Sequence, residues 1–215
     1  MSIIENISYN ISNKIGNKAN KTQDEIEIIN YGLFMTLHTL TGIIITIIIG
    51  ILIGKLAEML TITLVASSTK RYSGGVHATS PSRCIIIGII TTIMVVYVSI
   101  LLGNYTDINF LIIFTLIVIS TCNYIFYNKA PVGSKNKPLK KESTRKKLRK
   151  KLFVVLSFYQ IVLALAILLL FFDKLDSNFI KYIYCIELGI LLQCTAITKL
   201  GESIILKLDS ILTYN

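Results

Sequence analysis

The sequence predicts an all-α protein: a polytopic helical bundle in a membrane, with about four to six membrane segments and an amphipathic N-terminal helix. Three observations predict it. Of the 215 residues, 53% are hydrophobic, and they come in blocks, which a merely apolar soluble core would not require. The blocks 85–103, 108–127 and 152–172 contain no charged residue, and each offers the ~20 apolar residues that a bilayer crossing needs. The net charge of +10 is gathered between blocks: residues 128–151 hold eleven Lys or Arg and one acid, Glu142. That pattern is the signature of a loop held on the positive-inside face rather than of a nucleic-acid surface. The length fits a single membrane-embedded domain, 1–215.

Taken in order, residues 1–30 form the amphipathic N-terminal region. Ile3, Ile4, Ile7, Ile11 and Ile15 fall near one helical face, with Lys14, Lys18 and Lys21 beside them. This suits a helix lying on a membrane surface, or an ordinary packing helix. The opening is polar and acidic with no apolar h-region, so no cleavable signal peptide is expected. Residues 31–54 are apolar except for His38; Lys55 interrupts; 56–68 are apolar except for Glu58. Together they are long for one crossing and short for two, which leaves two short spans or one span plus a re-entrant piece. Glu58 and His38 are ionisable groups near membrane depth and hence functional candidates, though Glu58 is expected to pair with Lys55 at a helix end.

The spans 85–103 and 108–127 form a hairpin through the turn 104–107. Pro131, Gly133 and Pro138 bar regular helix in the first part of the basic loop, whereas 140–151 can run helically into 152–172. A turn with Asp173, Lys174 and Asp176 leads to the last span, 179–200. It carries Lys181 near one end and Glu187 within, an acid that needs a partner or an aqueous cavity. The tail, 201–215, is short and mixed in charge. Cys122, Cys185 and Cys194 lie inside hydrophobic segments, as small packing residues do, and no disulfide framework is visible. Charge bias puts the basic loop on the cytoplasmic side. Counting spans puts residues 70–84 and the C-terminus there too, and the N-terminus only if 31–68 crosses twice or re-enters.

Residues 70–84 are the candidate site: a polar, cationic stretch between hydrophobic segments that reads Lys-Arg-Tyr-Ser-Gly-Gly-Val-His-Ala-Thr-Ser-Pro-Ser-Arg-Cys. Gly74 and Gly75 allow a sharp bend, and Gly75 is expected to need a backbone angle that other residues avoid. Ser80-Pro81 reads as a helix start, with Ser80 at the N-cap and proline at the first helical position. Cys84 then falls in the first turn, with Arg71 and Arg83 nearby, where a thiolate is favoured. His77, on the preceding loop, can fold back as general base and later as general acid. The N–H groups of Ser82 and Arg83 are candidates for holding an oxyanion. A solvated loop with a half-buried cysteine is the plainer reading of the same residues. A metal site is not expected, since His38 and the other cysteines lack ligand spacing. No phosphate-binding loop is present, so no nucleotide or other cofactor is expected.

Arg71, Gly75, His77, Pro81 and Cys84, followed by a hydrophobic span, resemble the accessory gene regulator B (AgrB) family. The stretch 130–138, Ala-Pro-Val-Gly-Ser-Lys-Asn-Lys-Pro, resembles it too, as does the alternation of spans and basic loops over nearly the whole chain. The resemblance implies a membrane cysteine endopeptidase with Cys84 as nucleophile and His77 as its base. It would cleave the acidic C-terminal tail from an AgrD-like quorum-sensing propeptide through a thioester, with thiolactone closure by the substrate's own cysteine. Arg71, Gly75 and Arg83, with Lys135, Lys137, Lys140 and Lys141 of the basic loop, are the candidate substrate-binding residues. The other expected partners are membrane lipid and, by the same resemblance, a second copy in a homodimer; nucleic acid is not expected. Two further classes fit the composition: a small transporter whose path is lined by Glu58, Glu187 and Lys181, and a scaffold whose basic loop binds anionic lipid.

Overall fold

The computed structural model describes residues 3–76, 78–133 and 141–213. These form eight α-helices and, among the described residues, no strand. The all-α prediction holds. Five of the helices are long and apolar enough to cross a membrane, within the predicted range, and the protein is a multi-pass membrane protein. The chain divides into two compact units, Met1–Leu52 and Ile53–Asn215.

The first unit is a helical hairpin of α1 (Ile3–Lys18) and α2 (Gln23–Leu52). Thr22 and Glu25 start α2 with reciprocal bonds: the Glu25 carboxylate accepts the Thr22 N–H at 2.9 Å, and Thr22 Oγ1 accepts the Glu25 N–H at 3.4 Å. This satisfies donors that a helix start otherwise leaves unpaired. The face of α1 that is buried carries Ser8, Ser12 and Gly16. A side chain at Gly16 would overlap Ile26 of α2, so small residues let the two backbones approach. Ile7, Ile11 and Ile15 stay exposed. The helix α1 thus packs, as one of the two readings expected, but through its small residues, and its isoleucine stripe remains exposed. His38 stacks on Phe34 within α2, ring centroids 5.9 Å apart.

The second unit begins after a break at residues 53–55. It contains α3 (Leu56–Ser73), α4 (Pro81–Tyr105), α5 (Ile108–Lys129), α6 (Glu142–Phe171), α7 (Ile180–Ala196) and α8 (Lys199–Ile211). The stretch 31–68 therefore resolves into the end of one long span and a separate, shorter helix. The helix α6 takes in most of 140–151, as expected. The last span stops at Ala196, short of 200, because Thr198 caps a new helix by accepting the Gly201 N–H at 3.2 Å. The tail is thus not featureless: α8 is amphipathic, with Leu200, Ile204 and Ile211 exposed and Gly201 and Asp209 buried.

The core of this unit lies around α7, against which α3, α4, α5, α6 and α8 all pack. Phe126, Leu152, Leu156 and Cys194 form one apolar cluster, and Leu111, Leu163, Ile183 and Tyr184 another. Cys122, Cys185 and Cys194 are buried and free, as packing residues. The outer faces of the spans expose Met94, Leu101, Ile117 and Phe158, the apolar surface that acyl chains cover.

One expected pairing is corrected. Glu58 bonds not Lys55 but Lys181 of α7, Oε1 to Nζ 3.0 Å, with only 6% of the Glu58 side chain exposed. An acid buried at that level needs a charge-assisted partner, and α7 delivers one. Glu187 finds its partner in Thr115 Oγ1 of α5 and also lines a cavity of about 10 Å³ with Asn123 and Gln160. Glu58 and Lys181, two of the three groups a transport path would use, are engaged with each other.

Candidate active site

The geometry around Cys84 begins with how α3 ends. Gly74 caps α3 with φ +71° and ψ −150°, and Gly75 follows at φ +129°; only glycine adopts such angles readily. The chain thereby leaves the helix sharply and turns toward α4. Ser73 and Gly74 then meet the segment after α5. The Val132 N–H donates to the Ser73 carbonyl at 2.8 Å, and Gly74 and Val132 form an isolated parallel bridge. Residues 130–133 therefore run as a strap along the bend, so two stretches far apart in sequence, both singled out above, are adjacent in space.

Side chains from two helices hold the strap and the bend. Gln193 of α7, 3% exposed, donates to Ser73 Oγ and to the Gly74 carbonyl, each at 2.8 Å. Arg149 of α6 donates through Nε and Nη2 to the Ala130 carbonyl at 3.0 and 2.9 Å. Its guanidinium also lies over the Tyr127 ring, 5.7 Å from the centroid. Two donors on one carbonyl fix the strap's angle as well as its distance. Tyr72, beside the bend, receives Arg71 at 5.9 Å and Lys151 at 6.0 Å over its ring.

The bend leads into α4, where Ser80 occupies the N-cap position and Pro81 the first helical position, as expected, but the Ser80 side chain makes no capping bond. The start of α4 is held instead from α8. Asp209 accepts the Thr79 N–H at 3.1 Å and the Thr79 hydroxyl at 2.7 Å on Oδ2, and pairs through Oδ1 with Arg83 Nε at 2.7 Å. Arg83 Nη2 donates to Thr79 Oγ1 and so closes a ring of three side chains. The Thr79 bonds, reinforced by the Arg83 charge, hold the Asp209 carboxyl below the ordinary aspartate range. Cys84 stands one residue beyond this cluster, in the first turn of α4. Its N–H donates to the Ser80 carbonyl at 3.0 Å and it is half-buried.

Of the residues expected at the site, Arg71 is exposed at the end of α3, Gly75 is buried in the bend, Arg83 is engaged with Asp209 and Thr79, and Lys141 is exposed at the start of α6. His77, Lys135, Lys137 and Lys140 lie outside the described residues. Sequence reasoning missed Gln193, Arg149 and Asp209. Gln193 carried a signal, as a lone amide inside an apolar span, and so did Asp209, as an acid on the inward face of an amphipathic helix. Arg149 was hidden among ten other cations.

Comparison with known proteins identifies the family of the chain. The family described as AgrB, Accessory gene regulator B, matches residues 8–197. The chain is 35% identical over 211 residues to an AgrB-like protein of Clostridium perfringens strain SM101, covering 97% of each. It is 33% identical over 210 residues to a second AgrB-like protein, of Clostridium perfringens strain 13, again covering 97% of each. No solved structure matches. A match over almost all of the membrane region and both stretches of the site decides the assignment: the chain belongs to the accessory gene regulator B family.

Proposed function

We propose that this protein is a membrane cysteine endopeptidase of a quorum-sensing system, which removes the C-terminal tail of an AgrD-like propeptide through an acyl-enzyme on Cys84. The observation that carries the reading is the placement of Cys84: half-buried in the first turn of α4, at the end of a bend tied to α6, α7 and α8 through its backbone and the adjoining strap. A nucleophile on a rigid mount is what acyl transfer at a peptide carbonyl requires.

In the proposed reaction the Cys84 thiolate attacks the carbonyl carbon before the tail. The carbonyl π electrons move onto oxygen, which first-turn backbone N–H groups stabilise. The intermediate collapses, the C–N bond breaks, and His77, having taken the thiol proton, returns it to the leaving amine. The acidic tail departs and a thioester to Cys84 remains. His77, neutral again, takes the proton of a cysteine thiol within the substrate; that sulfur attacks the thioester carbonyl, the bond to Cys84 breaks, and the thiolactone leaves the Cys84 thiolate beside protonated His77. One thioester replaces another, so ring closure is near balance without ATP. The loop is assigned to the cytoplasmic face, where the basic loop attracts an acidic tail.

The test is intact-mass analysis of the full chain in vesicles with an AgrD-like peptide. A peptide adduct on Cys84 is expected, lost with Cys84→Ala and strongly reduced in its turnover with His77→Ala. Normal tail removal by Cys84→Ala would refute the reading.

A further inference from the structure

The helix α8 presents an amphipathic face, yet one residue on its buried side is an acid. Asp209 is 4% exposed, and a carboxylate so covered costs stability unless its oxygens are matched. They are matched by residues of one short turn. Oδ2 takes both the backbone N–H and the hydroxyl of Thr79, and Oδ1 is ion-paired with Arg83, 2.7 Å from its Nε. The Thr79 hydroxyl donates to Asp209 while its lone pair accepts from Arg83 Nη2, so the three side chains constrain one another. Asp209 thus grips residues on either side of Ser80-Pro81, where α4 begins. The Ser80 side chain, which usually fixes a helix start, makes no capping bond here. The task of setting the first turn of α4 falls to a residue 130 positions away from Thr79.

We infer that Asp209 is a positioning residue for the Cys84 centre, setting the approach of the Thr79–Arg83 turn that delivers the thiol; this rests on the peptidase reading above. Arg83 is then chiefly part of the mount, held by Asp209, and not a free anion receiver. The effect reaches the reaction through geometry. A displacement on the order of 1 Å at a nucleophile costs about 100-fold in rate, while substrate affinity, set by surfaces elsewhere, is retained.

The test uses the full chain in vesicles with an acidic-tailed AgrD-like peptide, reading kcat and KM separately. Asp209→Ala is expected to lower kcat about 100-fold with KM within about twofold. Asp209→Asn keeps one acceptor for Thr79 but loses the charge paired with Arg83, and an intermediate loss of about tenfold is expected. If the alanine variant does not assemble, the asparagine variant decides alone: an unchanged kcat overturns the proposal. Thr79→Val added to Asp209→Ala should lower kcat by less than about twofold more, because both act through one cluster; full additivity would overturn it. A rise in KM alone would make Asp209 part of a substrate surface and likewise overturn it. Cys84→Ala run alongside separates the two readings. If it is inactive while the Asp209 variants turn over normally, only the positioning role fails; if it still removes the tail, both fail.

Discussion

The tightest point of the site is Gly74, and replacing it by alanine tests the strap directly. At φ +71° and ψ −150° a residue with a Cβ is held in a region that costs ~1–3 kcal/mol. The Cβ would also overlap the Val132 carbonyl oxygen and stand 3.0 Å from its carbon, both backbone atoms that cannot rotate away. The strap must shift, and the 2.8 Å bond from the Val132 N–H to the Ser73 carbonyl is lost or stretched, a further ~0.5–1.5 kcal/mol. A stiffer unfolded chain offsets ~0.4–1 kcal/mol of this. The expected local destabilisation is about 2 kcal/mol, which makes opening at the strap ~30-fold more frequent. Amide hydrogen exchange of a peptide spanning 130–133, in detergent micelles, reads that opening. Gly75→Ala is the comparison: its Cβ would meet Ile197 Cγ2 at 3.4 Å and the Ala196 carbonyl at 3.5 Å, ordinary contacts, so only its φ of +129° is penalised and the strap should exchange nearly as in the wild type. Exchange at 130–133 unchanged by Gly74→Ala, or affected equally by Gly75→Ala, would refute the reasoning.

Three further outcomes are expected. Lys181→Met should destabilise the second unit toward chemical denaturation by up to ~3–5 kcal/mol, because Glu58 is left buried without its cation, and Glu58→Leu in the same chain should recover most of the loss. For Asp209, the lowered carboxyl means that the clamp's stability is fully present above the ordinary aspartate range and is lost as pH falls through the lowered folded value; the protection of the Thr79 amide relative to its intrinsic exchange rate at each pH should therefore fall in acid, and Asp209→Asn should remove that dependence. Lys135→Glu with Lys137→Glu should raise the KM for an acidic-tailed peptide more than for a neutral-tailed one, and raised salt should weaken the wild-type preference in the same direction; equal processing of both peptides by the double variant would reduce the loop to an orientation signal.

The spans were legible because an uncharged block of ~20 residues has few other uses. The break after Ala196 was not, since Ile197 prolongs the apolar run and the decisive feature is the Thr198 cap. At the candidate site, Ser80-Pro81 located the start of α4 correctly, because proline's fixed φ and missing N–H are local properties. What holds that start was hidden, because Asp209 reaches Thr79 across 130 positions and nothing in the spacing links them. Glu58 shows the same limit: Lys55, three residues away, was the obvious partner, yet the fold brought Lys181.

The contacts on the bend also impose an order on biosynthesis. Cys84 and the turn before it emerge early, but Arg149, Gln193 and Asp209 follow in that sequence, each on a later helix. A nascent chain that has inserted α4 and α5 has a thiol without a mount. It gains the strap's anchor with α6, the Gly74 anchor with α7, and the Thr79 anchor only with α8. The contacts around the turn that bears Cys84 are thus completed only with α8, so a chain interrupted before α8 carries Cys84 without the Asp209 contacts.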